Sequence, residues 1–169
     1  VTAIDVLLDG FSRVHDSTHR AVTGLSSDEL EARLDADANS VGWLVWHLSR
    51  ICDDHVGDVA GREQLWLADG WSERFGFPFD RFATGYGQTS HEVAEVRGVT
   101  AEQLLGYHDA VFDQAVRFLR GLSEADLERV VDTSFDPPVT LAVRMVSVMS
   151  DGLQHAGQAA FVRGVLRRR

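Results

Sequence analysis

Lysine is absent from this chain: all sixteen basic residues are arginines, set against 26 acidic ones for a net charge of −10 at pH 7. That deficit argues against a general phosphate-binding surface, because nucleic-acid affinity comes largely from basic residues that displace counterions. No nucleic-acid partner is expected, and the basic triplet Arg167-Arg168-Arg169 is read as a solvated tail. Cysteine is nearly absent as well. Cys52 alone permits no intrachain disulfide, so a reducing, cytoplasmic setting is expected, with the thiol read as a small core residue rather than a nucleophile. No uninterrupted apolar run reaches the roughly 18 to 20 residues of a membrane span, and no secretory leader is read at the start. Three prolines, Pro78, Pro137 and Pro138, all fall in segments read as connections.

What remains is a chain of 169 residues with 44% hydrophobic content, enough to bury one core, and a single domain over residues 1–169 is expected. From Ile4 to Leu25, apolar residues recur at three- and four-residue steps, the pattern of an amphipathic helix. Its His15 and His19 are four apart and could chelate, but one lies in the apolar stripe and the other at its edge, so a packing or rim role is preferred. Ser26-x-x-Glu29 and Thr100-x-x-Gln103 have capping-box form. The first opens a short helix to about Leu34, the second a long one ending at Gly121, in which His108 reads as a buried neutral histidine. A further long helix spans Val41 to about Ala60, with Leu44, Leu48, Ile51, Cys52, His55 and Val59 on one side and Ser49 and Asp53 opposite. Ser123 caps a short helix to about Val130, and Asp132 to Pro138 is a loop. The last helix, Thr140 to Leu166, is apolar over much of its circumference, so it is expected to be central or shared with a second copy, and a homodimer is the expected assembly. With no convincing alternating strand, the expected fold is an all-α four-helix bundle.

Two features carry chemistry. In the last helix Asp151 and His155 lie four apart, on one face and roughly 6 Å from each other, a spacing from which a carboxylate and an imidazole can chelate one cation. His47, on the border of the apolar stripe beside Trp43, can supply a third ligand. Asp54 is seven residues from His47, about 10 Å along the axis, and is therefore a candidate only for the substrate side. Arg144 shares a face with Asp151 and is a candidate partner for an anionic substrate or for Asp54. Between the second and third long helices, a short helical piece at Glu63 to Leu67 precedes a Gly-rich segment with six aromatics from Trp71 to Tyr86. Such a segment either covers a pocket or plugs one end of the bundle.

Trp46-His47-Leu48 on the second long helix, together with Asp151-x-x-x-His155-x-Gly157-Gln158 on the last, resembles the DinB-like superfamily, in particular the metal-binding domain of the mycothiol-dependent maleylpyruvate isomerases. The resemblance runs over essentially the whole chain. It implies a DinB-like bundle with metal ligands at His47, Asp151 and His155, where Asp151 stands in for the His or Glu of other members, and it gives Arg163 a structural role. Two imidazoles and a carboxylate suit Zn²⁺, with Ni²⁺ or Fe²⁺ as alternatives, and leave positions open. The implied activity is a metal-dependent transferase or isomerase that activates a small thiol such as mycothiol, with Asp54 and Arg144 as candidate catalytic residues. Alternatives are a metal-dependent hydrolase and a non-catalytic, metal-stabilised dimeric binding or stress-response module.

Overall fold

Each long helix begins where a hydroxyl can close its first turn. In the computed structural model, which describes residues 1–168, Thr2 accepts from the Asp5 amide at 3.0 Å while the Asp5 carboxylate accepts from the Thr2 amide, opening α1 (Ala3–Val22). A short α2 (Ser27–Glu31) follows the Ser26–Glu29 box. Ser40 caps α3 (Val41–Ala60), which stops at Gly61 in the left-handed region at φ 64°. After the short helices α4 (Leu65–Ala68), α5 (Trp71–Phe75) and α6 (Ser90–Ala94), the Thr100–Gln103 box opens α7 (Ala101–Arg120), and Thr140 caps α8 (Leu141–Leu166). Each such cap contributes about 1 kcal/mol.

The four long helices form a ring in the order α1, α8, α3, α7, with α1 and α3 on a diagonal. Interlocking brings α1 and α8 close. A Cβ on Gly10 would lie 2.0 Å from Met149 Sδ, and one on Gly152 would lie 2.9 Å from Val14 Cγ1, so each helix offers a notch that the other fills, one of them beside Asp151. The bundle is the expected all-α fold, and no helix among the described residues is long and apolar enough to cross a membrane.

Three local expectations need adjusting. Ser49 and Asp53, assigned to the polar side of α3, are fully buried, as is Arg50 between them. The helix is covered on that side too, by α7 and by the chain folding back after Gly61: Ser49 Oγ accepts from His108 Nδ1 at 3.0 Å, and the Asp53 carboxylate accepts from the amides of Leu65 and Trp66 and the hydroxyl of Tyr107. Of the two places expected for α8, central or shared with a second copy, the central one is not the one it takes. Val143, Val146, Leu153 and Phe161 on it are exposed, and α3 is the more deeply buried helix, with Val41 to Arg50 all buried. Finally, the short helix capped by Ser123 is 3₁₀ and ends at Glu128 rather than about Val130, and the expected loop is flanked by two short strands, β1 (Val130–Asp132) and antiparallel β2 (Val139–Thr140). Strands of three and two residues are too short to show an alternating pattern.

Arginines tie the far ends together. Arg163 donates to the carbonyls of Ala21 and Thr23, a structural role. Arg167 pairs with Glu29 at 3.1 Å and bonds the Gly24 carbonyl, so it is not part of a free tail; Arg169 lies outside the described residues.

Candidate metal centre

The aromatic segment after α4 does two things. Phe75, Phe77 and Phe79 pack with Trp46, Trp66 and Tyr107 in the larger apolar cluster, which closes the bundle at that end. The chain then runs over α3 with its carbonyls received one after another. Trp66 Nε1 donates to the Arg81 carbonyl at 2.9 Å, Arg50 reaches those of Phe82 and Ala83, and His47 Nδ1 donates to that of Thr84 at 2.6 Å. At the next residue the backbone touches the site. Gly85 has φ 94°, and a Cβ there would lie 2.7 Å from His47 Nδ1 and 3.1 Å from both Trp43 and Trp46. Only glycine combines that dihedral with that approach.

The bond to Thr84 fixes the tautomer of His47. A carbonyl can only accept, so Nδ1 carries the proton and Nε2 presents a lone pair. His155 is set the same way by Gln158, whose Oε1 lies 3.0 Å from its Nδ1. The two rings meet edge to face with centroids 4.7 Å apart, and Trp43 stacks on His47 at 4.7 Å. Asp151 reaches the same place despite its short side chain: its Oδ1 lies 3.5 Å from His155 Nε2, and one donor atom from each of His47, Asp151 and His155 falls within 4.8 Å of the others. Tetrahedral coordination at 2.0–2.1 Å separates ligand atoms by roughly 3.3 Å, so small adjustments suffice to close on one ion.

These residues fit a divalent cation. Asp151 Oδ2 is buried and has no hydrogen-bond partner, a costly state for a carboxylate oxygen unless a positive charge is supplied. Burial foremost lowers the pKa of His47; the bond to Thr84 and the Asp151 charge oppose this, and His155 adds to it. The net direction favours the neutral imidazole a metal requires. Each of these candidate ligand histidines has its Nδ1 on a protein acceptor, the usual accompaniment of metal sites. Sequence reasoning named the three side chains but not Thr84 or Gly85, since a backbone carbonyl has no signature in the sequence.

Asp54 and Arg144 do not join this group: they line a polar cleft of about 520 Å³ with His55, Asp58, Arg62 and Gln64, which none of His47, Asp151 and His155 lines. The two do not pair with each other. Asp54 Oδ1 accepts from Gln64 Nε2 at 2.6 Å, whereas Arg144 binds Asp132 Oδ2 at 2.8 Å and donates to His55 Nδ1 at 3.2 Å. The β-hairpin thus takes the arginine that the sequence pointed toward Asp54. Burial, then the Arg144 charge, lowers the pKa of His55, against Asp54, Asp58 and Asp151. A second cleft, about 540 Å³ and more apolar, opens on the Gln158 side between Leu44, Leu34, Phe161 and Val162. Cys52 packs against both main apolar clusters and burial pushes its thiol pKa up, as expected of a core cysteine.

A helical ring carrying two imidazoles and a carboxylate on two of its helices defines a class of bundle protein with an open candidate metal centre. The family model of the DinB superfamily matches residues 11–159, and the chain belongs to that superfamily. A crystal structure of a conserved protein from Enterococcus faecalis is similar over 100% of this chain and 99% of its own, with a TM-score of 0.93 and 25% sequence identity. No curated protein matches the chain.

Proposed function

We propose that this protein is a metal-dependent transferase or isomerase acting with a low-molecular-weight thiol of the mycothiol type, with Zn²⁺ as the resident ion. The observation that carries the reading is the pair of fixed tautomers: His47 and His155 both have Nδ1 engaged by a protein acceptor and Nε2 free, next to an unsatisfied oxygen of Asp151. Three protein ligands are one fewer than a closed structural zinc site uses. A divalent cation held there lowers the pKa of a thiol that binds it, so that thiolate predominates near neutral pH.

The chain's own residues supply the rest. The polar cleft offers Asp54 as an acceptor for the amide and hydroxyl groups of such a thiol. Arg144, held by Asp132, offers positive charge to a carboxylated electrophile. Thr84 and Gly85 cover His47 and keep water from its Nδ1 side. The resemblance to the isomerase group supports the choice of thiol over water as the activated group. The exposed row Val146, Leu153 and Phe161 on α8 supports a homodimer, which light scattering at micromolar concentration tests.

Protein purified without chelator should carry about one equivalent of metal at this centre, lost in His47→Ala and in His155→Ala. Metal-loaded protein should then accelerate transfer of mycothiol to a chromogenic electrophile above the rate of the variant lacking all three ligands. Equal rates remove the transferase reading, and turnover of an ester in the absence of thiol would replace it with a hydrolase.

A further inference from the structure

A second group of metal-ligand type lies on the opposite edge of the ring, between α1 and α7. His15 and His19, one turn apart on α1, both direct Nε2 at a single oxygen of Asp109 on α7, at 3.0 and 2.6 Å. The three donor atoms fall within 4.8 Å of one another, as those of the first centre do. We infer that His15, His19 and Asp109 form a second divalent-cation site, which clamps α1 to α7 independently of the centre on α3 and α8.

Four observations support this. The rings of His15 and His19 lie 4.4 Å apart with both Nε2 atoms converging, an arrangement in which one cation replaces the two protons that otherwise bridge to Asp109. The ring of His15 is held in place by stacking on Phe112 at 4.2 Å and on His108 at 5.6 Å, so its ligand atom is positioned by the core rather than by a mobile rotamer. On the opposite side of that ring the Asp16 carboxylate lies 3.6 Å from Nδ1, too far for a hydrogen bond but adding negative charge next to the ring. Finally, Asp109 pairs with no arginine among the described residues, and its charge is met only by the two imidazoles.

Side-chain exposures of 24, 34 and 46% for His15, His19 and Asp109 leave the remaining coordination positions open to solvent. A cation can therefore enter without unfolding the bundle, and the net charge of −10 favours its approach. The donor set selects borderline ions such as Zn²⁺, Co²⁺ or Ni²⁺ over Mg²⁺ or Ca²⁺, which prefer all-oxygen surroundings.

The test uses full-length protein stripped with chelator and titrated with Zn²⁺ against a chromophoric competitor, and with Co²⁺ followed by its visible absorption. Wild type is expected to take two equivalents. His47→Ala with His155→Ala removes the first centre and should leave one equivalent, which is lost on adding Asp109→Asn or His19→Gln. On the wild-type background the same two substitutions should remove one equivalent and spare the other, which decides the matter if the double alanine variant fails to fold. The proposal is overturned if Asp109→Asn and His19→Gln leave both the stoichiometry and the affinity of every bound ion unchanged, or if the folded double alanine variant binds no Zn²⁺. Because the first centre is absent from that variant, either result is independent of whether the chain is a thiol transferase.

Discussion

His47 donates its Nδ1 proton to the Thr84 carbonyl at 2.6 Å, and the residue after that carbonyl, Gly85, has no room for a Cβ against the same ring. Substituting alanine at Gly85 must therefore push the loop off the imidazole or rotate the imidazole itself, and the positive φ adds strain. Metal affinity at the His47 centre is expected to fall about 10- to 100-fold, as when a supporting partner of a ligand histidine is lost, with helix content unchanged by circular dichroism. Chelator competition measures it. An affinity equal to wild type would mean that the loop does not orient the ligand.

Asp53 answers for stability rather than for metal. Its buried carboxylate accepts three hydrogen bonds and lies 3.7 Å from the fully buried guanidinium of Arg50, which in turn holds the Phe82 and Ala83 carbonyls. Burial raises the Asp53 pKa, while those bonds and Arg50 act against it. Asp53→Asn keeps the shape but leaves Arg50 buried without a counter-charge, an expected loss of about 3 to 5 kcal/mol. Urea denaturation should show a lower midpoint at constant slope; a midpoint close to wild type would mean that water or another anion compensates Arg50.

His108 makes the protein acid-sensitive. Ser49 Oγ donates to the Val45 carbonyl and so accepts from His108 Nδ1, leaving Nε2 buried without a partner. Burial first, then His15, pushes this imidazole from 6.5 down to about 3, with Asp109 opposing and His19 adding to the effect. Because the folded value lies below the unfolded one, the unfolded chain binds the extra proton between them. The stability that rests on neutral His108 is complete above about pH 6.5 and declines as pH falls toward 3, by about 1.4 kcal/mol per pH unit. In chelator-containing buffer, His108→Gln should flatten the slope of stability against pH by about one proton. Unchanged slopes would assign the acid sensitivity to other groups.

Much of this architecture was legible because its signals are local. Thr100 and Gln103 announce the start of α7, and the step of four between Asp151 and His155 puts two candidate ligands on one face whatever the helix packs against. Buried polar residues were not legible in the same way. Periodicity shows that Leu44 and Leu48 share a face, but not that a neighbouring helix also covers Ser49 and Asp53, which depends on how α7 lies in the ring. Asp109 illustrates the same limit. It belongs to the polar side of its own helix, and its convergence with His15 and His19 comes from a contact about ninety residues away in sequence.

Gln158 offers the sharpest separation of support from bulk. Its Oε1 accepts from His155 Nδ1 at 3.0 Å and it also lines the more apolar cleft, so two roles compete for the residue. If it acts by orienting the ligand, Gln158→Glu should keep metal bound as tightly as wild type or more so, because a carboxylate acceptor raises the basicity of the ring it holds. Gln158→Leu keeps much of the volume and loses the acceptor, and should weaken binding about 10-fold. If the residue instead shapes only the cleft, the order reverses for an apolar electrophile. The leucine variant would then retain metal and lower KM, while the glutamate variant would raise it. Measuring metal affinity and KM on both variants assigns Gln158 to one role, since orientation moves the first quantity and cleft polarity the second.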